Sequence, residues 1–222
     1  MQNAVIQKVL HGVQCAWSKI NDVFLGIKTD GFIRSPNPRI ASWPKAGGHQ
    51  NTKNKDNNVY QAADYRNLRR LVRLLQPNEE DVFYDIGCGE GRVVCVFGRI
   101  RLRLVVGIEV DSSLCDQARK NAEGLRGRRA DIQIRCQDAA RAELSDGTIY
   151  FVYNSFGKAT MVEVLDKIHS SLAPSPRRLR IVYYNAVLEE LFKECSWLVL
   201  IKQIRTFTGR PINVYETATQ TH

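Results

Sequence analysis

Apolar residues recur every three or four positions from Val5 to Phe24, through Ile6, Val9, Leu10, Val13, Ala16, Trp17, Ile20 and Val23. On a helix that period gathers them into one wide stripe, so residues 5–24 read as an amphipathic helix. The pattern stops near residue 29. From there to residue 58, Gly, Pro, Asn and Lys accumulate through SPNPR, PKAGGHQ and NTKNKDNN, which is loop chemistry. A loop of that length beside a compact body is functional or disordered. The helical period returns over Ala62–Leu75, where Leu68, Leu71, Val72, Leu74 and Leu75 lie among arginines, and Pro77 ends it.

Beyond Pro77 short apolar runs alternate with helical stretches. Asp81–Ile86, Leu104–Glu109, Asp131–Arg135, Ile149–Asn154 and Leu179–Tyr184 read as strands. Between them, helices are predicted over Arg92–Phe97, over Ser112–Leu125 with Ser112 placed to cap it and Asp111 before it as a turn residue or cap, over Ala159–Leu172 and over Val187–Cys195. Two closing strands, Trp197–Phe207 and Ile212–Thr217, are split by the turn Thr208-Gly209-Arg210-Pro211. This alternation predicts a doubly wound α/β fold, with a mostly parallel seven-stranded sheet covered on both faces. The short last connection makes the final pair antiparallel, since a parallel crossover needs a dozen residues or more. Residues 1–60 are expected to cap the site as a helix and long loop, and 61–222 to form the α/β domain.

Composition changes the picture little. Of 222 residues, 44% are apolar and 25% charged, average values that exclude a mainly disordered chain. Apolar runs such as Ile149–Tyr153 and Trp197–Ile201 have five residues, where a spanning helix needs roughly 20. Gln7, Lys8, His11 and Gln14 interrupt any secretory core, so a cytoplasmic protein is expected. Six cysteines show no CxxC pair and no zinc-ligand spacing. All are expected to be reduced, with Cys88, Cys95 and Cys136 packing as small hydrophobes, and no metal site is expected.

The candidate chemistry begins at DVFYDIGCGEGR, residues 81–92, where a strand ends on Asp85 and Gly87, Gly89 and Gly91 precede a helix. Glycines there permit a tight turn and close approach to bare backbone, and the helix that follows offers free N–H groups to an anion. The spacing is GxGxG, unlike the GxGxxG of a dinucleotide fingerprint, and no GK[ST] follows as a P-loop requires. An oxidoreductase using NAD is therefore disfavoured. The second strand ends on Glu109, eighteen positions past Gly91, where an acid can accept both hydroxyls of a ribose. Asp138 and Ala139 leave the third strand, and Tyr153-Asn154-Ser155-Phe156 the fourth.

In this ordered set the chain resembles the class I S-adenosylmethionine-dependent methyltransferases, whose first motif is acid-x-G-x-G-x-G. It is most similar to bacterial members with a GCGxGR- or GSGKGR-type loop and an NPF-type fourth motif, over residues 81 to about 217. The resemblance implies that S-adenosyl-L-methionine is held by Asp85, Gly87, Gly89 and Gly91 at its methionine end and by Glu109 at the ribose. It also implies Val110 flanking the adenine, with Asp138 and the Ala139 backbone on its edge, and Tyr60 closing over the cofactor. Asn154 is implied as the catalytic residue, aligning a nucleophile with the methyl carbon. Ser155 stands where the family has proline, so the rigid turn that would aim Asn154 is missing, and a non-catalytic cofactor-binding or RNA-binding module stays open as an alternative. The methyl acceptor is not named by any of these residues. Of the four histidines only His49, in the long loop, is placed to reach it.

The formal charge of +9 is concentrated at Arg99/Arg101/Arg103, Arg126/Arg128/Arg129 and Arg177/Arg178/Arg180. Each cluster precedes a strand, on the sheet edge opposite that where such folds bind ligands, so net charge alone does not argue for a nucleic-acid substrate. The amphipathic helix carries only Lys8 and Lys19, too few for membrane anchoring, and packing on the body or on a sister subunit in a homodimer is expected.

Overall fold

A computed structural model describes residues 2–29, 62–206 and 209–218. In chain order they form α1 (Gln2–Leu25), α2 (Tyr65–Leu75), β1 (Val82–Ile86), α3 (Arg92–Phe97), β2 (Leu104–Glu109), α4 (Ser112–Gly124), β3 (Ile132–Cys136), β4 (Ile149–Tyr153), α5 (Lys158–Ser170), β5 (Arg180–Tyr184), α6 (Glu189–Lys193), β6 (Leu198–Arg205) and β7 (Pro211–Thr217). The seven strands make one sheet in the order β3-β2-β1-β4-β5-β7-β6. β1 to β5 run parallel, while β7 is antiparallel to both β5 and β6. Inserting β7 between β5 and β6 departs from the parallel 3-2-1-4-5-6 order of dinucleotide-binding sheets.

The inner parallel strands β1, β2, β4 and β5 are almost wholly buried because both their faces are covered, while the edge strands β3 and β6 carry polar residues toward solvent. On one face Phe83, Val105, Phe151 and Val182 meet Leu68, Leu71, Phe97 and Ala118 of α2, α3 and α4. On the other, Tyr84, Val106, Tyr150 and Tyr183 meet Met161, Leu165, Ile168 and Phe192 of α5 and α6. Successive residues of a strand alternate between these cores, as the pleat requires.

Several boundaries differ from the sequence expectation for identifiable reasons. Helix α2 starts at Tyr65 because the Asp64 carboxylate accepts from the backbone N–H groups of Arg66 and Asn67, leaving Ala62 and Ala63 outside. Asp111, and not Ser112, caps α4, accepting from Ser113 and Leu114. Helix α6 is short: the Leu188 N–H donates to the Tyr183 hydroxyl at 3.1 Å, folding the chain back on β5 before the helix begins. Cys136 is exposed and not packed, because β3 is an edge strand. Cys88, Cys95 and Cys115 are buried, and Cys15, Cys88, Cys95, Cys115, Cys136 and Cys195 are all unpaired thiols.

The end of α1 is tied to the α2–α3–α4 face by a buried polar cluster. Arg92, 2% exposed, forms an ion pair with Asp22 at 3.3 Å, donates to Thr29 Oγ1 at 2.8 Å and to the Ala63 carbonyl at 3.3 Å, and lies over the Tyr65 ring. The Tyr65 hydroxyl donates to the other Asp22 oxygen. Asn121 of α4 accepts from the Lys28 N–H and donates to the carbonyls of Lys28 and Glu90, joining this segment to the glycine loop. Positions 30–61, which include Tyr60, His49 and most of the expected loop, lie outside the described residues. No helix among the described residues is long and apolar enough to cross a membrane.

Candidate cofactor and active site

The carboxyl ends of β1, β2, β3 and β4 bring together Asp85, the glycine loop, Glu109, Asp138 and Asn154. β1 lies centrally, flanked by β2 and β4, so its exit loop is reached by residues leaving both neighbours. The Gly87 and Cys88 N–H groups donate to the Ile108 carbonyl at 2.8 and 2.9 Å, which folds the loop over β2. Gly87 (φ 83°) and Gly91 (φ 80°) both hold left-handed backbone that other residues resist. A Cβ at Gly87 would overlap the Ser155 side chain, and one at Gly91 would lie 3.1 Å from Cβ of Ala118. At these two positions the missing side chains make room for the protein's own β4 exit and α4.

Glu109 organises the loop. Its carboxylate accepts from the Gly89 N–H at 2.9 Å, the Val110 N–H at 2.8 Å and the Asp111 N–H at 3.0 Å. Burial outweighs these bonds, so its acidity is weakened and its pKa lies above the usual carboxylate range. Asp85 is 2% exposed, and its Oδ2 has no hydrogen-bond partner among the described residues. Burial first, then the nearby Glu109 charge, push its carboxyl well above the usual range, against the single opposing bond from the Val94 N–H. A buried acceptor without a donor costs about 1–3 kcal/mol, so this pair is suited to a ligand that brings N–H or O–H groups. The amino group and ribose hydroxyls of S-adenosylmethionine are such donors, and the residues present fit it.

The remaining predicted residues surround the same edge. Val110 is exposed beside Glu109. The Asp138 carboxylate accepts from the Ala140 N–H at 3.0 Å and opens a 3-10 turn over Ala139–Arg141, with Ala139 buried beneath it. Asn154 holds left-handed backbone at φ 42°, a region Asn tolerates better than most residues. The turn that aims it needs no proline: Ser155 Oγ donates to the Ile86 carbonyl at 3.0 Å and fastens the exit of β4 to that of β1. The conformation before a proline is extended, so the family's proline would not fit this Asn154 backbone.

Sequence reading missed three features. Asn185, at the end of β5, also takes left-handed backbone, at φ 56°, and is buried. Its signal was an Asn closing a strand, the same as at Asn154. Asn67 donates to the Tyr184 hydroxyl at 3.1 Å, and Arg210 to the Tyr153 hydroxyl at 3.2 Å, lining the β4–β5 exits with polar groups from α2 and the β6–β7 turn. The Arg92–Asp22 pair had one trace in the sequence, an arginine directly after the last glycine. His169 stacks on Trp197 at 4.8 Å, away from this edge.

Residues 83–175 match the family described as a methyltransferase domain. The chain is 24% identical over 90 residues to a protein-lysine N-methyltransferase of Saccharolobus islandicus, covering 39% of this chain and 56% of that protein. It is 31% identical over 164 residues to the 23S rRNA (uracil(1939)-C(5))-methyltransferase RlmD of Acidithiobacillus ferrooxidans, covering 71% of this chain and 35% of that protein. The chain thus spans only about half, or about a third, of the length of these curated relatives. Among solved structures, a ribosomal protein L11 methylase from Lactobacillus delbrueckii subsp. bulgaricus superposes with a TM-score of 0.52 at 13% identity, over 71% of this chain and 80% of that one.

Proposed function

We propose, for a chain whose matched domain and sheet order make it a member of the class I S-adenosylmethionine-dependent methyltransferases, that it transfers the cofactor's methyl group to a nucleophile held beside Asn154. When bound, the cofactor supplies an electrophilic methyl carbon on a sulfonium. The observation that carries the reading is the buried Asp85 with its orphaned oxygen, set beside Glu109 under a loop with three left-handed glycines. Asp85 would accept from the cofactor's ammonium group and Glu109 from its ribose hydroxyls. The Asp138–Ala139 turn would meet the adenine edge, with Val110 against its face. Asn154 would accept a hydrogen bond from the acceptor and fix its lone pair on the methyl carbon, catalysis by orientation. A neutral amine needs no strong base for this transfer. Tyr60 remains a proposed cover for the cofactor, and the cytoplasm the proposed compartment.

The acceptor is a protein side chain, an RNA or a small molecule, and the two curated relatives, one acting on protein lysine and one on ribosomal RNA, illustrate that range. A non-catalytic cofactor-binding role is the second reading: Ser155 stands where the family has proline, although its hydroxyl bond to Ile86 holds the turn without one. Incubating the full chain with methyl-tritiated S-adenosylmethionine and cell extract, then sorting label into protein, RNA and small-molecule fractions, tests both. The proposal expects label in one fraction, with Asn154→Ala lowering it by about 10²-fold, the scale of a misplacement of about 1 Å. Cofactor binding without label in any fraction would favour the second reading.

A further inference from the structure

From Val13 to Phe24, helix α1 is turned opposite to what its apolar stripe suggests. The residues it buries against the domain include Ser18, Asn21 and Asp22; Asn21 accepts from Arg69, and Asp22 is held by Arg92 and Tyr65. Its outward face carries Val13, Trp17, Ile20, Val23 and Phe24, which are 48–71% exposed. Besides Arg92, three arginines from other elements reach this helix beside its outward face. Arg69 of α2 lies 6.0 Å from the Trp17 ring, Arg99 from the α3–β2 connection lies 5.5 Å from the Phe24 ring, and Arg126 from the α4–β3 connection donates to the Val23 carbonyl at 3.3 Å. None of the three is ion-paired among the described residues. The adjoining α2 exposes Arg66, Arg70 and Arg73 as well and contains no acid.

We propose that the outward face of α1, with Arg69, Arg99 and Arg126 around it, docks this protein on an anionic lipid bilayer. An interfacial helix needs an apolar face and flanking cations. Counted alone, α1 lacks the cations, but the fold supplies them from three neighbouring segments. Anionic headgroups would meet the guanidinium groups while the aliphatic and aromatic side chains enter the acyl boundary. A second copy is the poorer occupant, because two such faces would oppose arginine to arginine. A nucleic acid would satisfy the arginines but leave Val13, Ile20 and Val23 in water.

Sedimentation of the full chain with phosphatidylcholine vesicles, with and without phosphatidylserine, tests this. Binding is expected only with phosphatidylserine, and it should be lost near 1 M salt, where the Debye length is about 3 Å. Each arginine contributes about fivefold, so R69Q/R99Q/R126Q together should weaken binding by about 10²-fold. Phe24→Gln should cost roughly tenfold, as should Ile20→Gln, a second variant with no polar contact to lose; circular dichroism checks that both fold. No binding to phosphatidylserine vesicles would overturn the proposal, as would equal binding to neutral ones. It would also fail if a single-stranded RNA bound in their place with the same arginine dependence, or if sedimentation velocity showed a dimer broken by Phe24→Gln that ignores vesicles.

Discussion

Replacing Asp85 with Asn separates the two tasks assigned to that carboxylate. It is buried, faces the Glu109 charge, and has one oxygen without a donor among the described residues. Its folded pKa is raised, so between the usual carboxylate value near 4 and that raised value the folded state holds a proton the unfolded state has released. Stability then falls as pH rises through this window. Asn keeps the acceptor facing the Val94 N–H and carries no charge to desolvate. If it relieves about 1–3 kcal/mol, the scale for one unsatisfied buried group, the melting temperature at pH 8 should rise by roughly 2–10 °C. Below about pH 3, where the wild-type carboxyl is protonated in both states, the gain should shrink. Cofactor affinity should move the other way, since a hydrogen bond between charged groups worth about 1.5–3 kcal/mol is lost, roughly 10- to 150-fold in Kd. Scanning fluorimetry across pH and calorimetry with S-adenosylmethionine read the two effects. An Asn variant that is no more stable at pH 8 and binds the cofactor like wild type would refute the reasoning.

Three further outcomes follow from the same geometry. Glu109→Ala should lower cofactor affinity at least about tenfold and, because three backbone N–H groups lose their acceptor, speed hydrogen exchange at Gly89; unchanged affinity and exchange would remove Glu109 from the site. Ser155→Pro should lower both melting temperature and cofactor affinity, because it removes the bond to Ile86 and forces Asn154 out of its left-handed conformation; a stabilised variant would show that the β4 exit is set differently. Asp22→Ala should cost about 3–5 kcal/mol in chemical denaturation by leaving Arg92 buried without its counter-ion; a loss below about 1 kcal/mol would mean that Thr29 and Ala63 suffice to hold it.

The parallel sheet was legible because its strands are short and bounded and the inner ones are apolar on both faces, and the antiparallel close because four turn residues cannot make a crossover. The site was legible where chemistry and position coincide: Asp85 and Glu109 are acids ending otherwise apolar strands, and Gly87, Gly89 and Gly91 all take positive φ. What stayed hidden depended on contacts distant in sequence. Ser155 looked like a defect until its hydroxyl met Ile86. The α1 stripe pointed to a buried apolar face, yet Arg92, 70 residues away, draws the polar side of the helix inward through Asp22. The arginine clusters read only as charge on the far edge of the sheet, because nothing local shows that Arg99 and Arg126 border α1.

Isothermal titration of the full chain with S-adenosylmethionine, S-adenosylhomocysteine and NAD reads out which nucleoside the Asp85–Glu109 site holds. Both sulfur nucleosides should bind one per chain, with NAD showing no heat at the same concentrations. Binding of NAD, or the absence of binding by S-adenosylmethionine to folded protein, would contradict the site assignment.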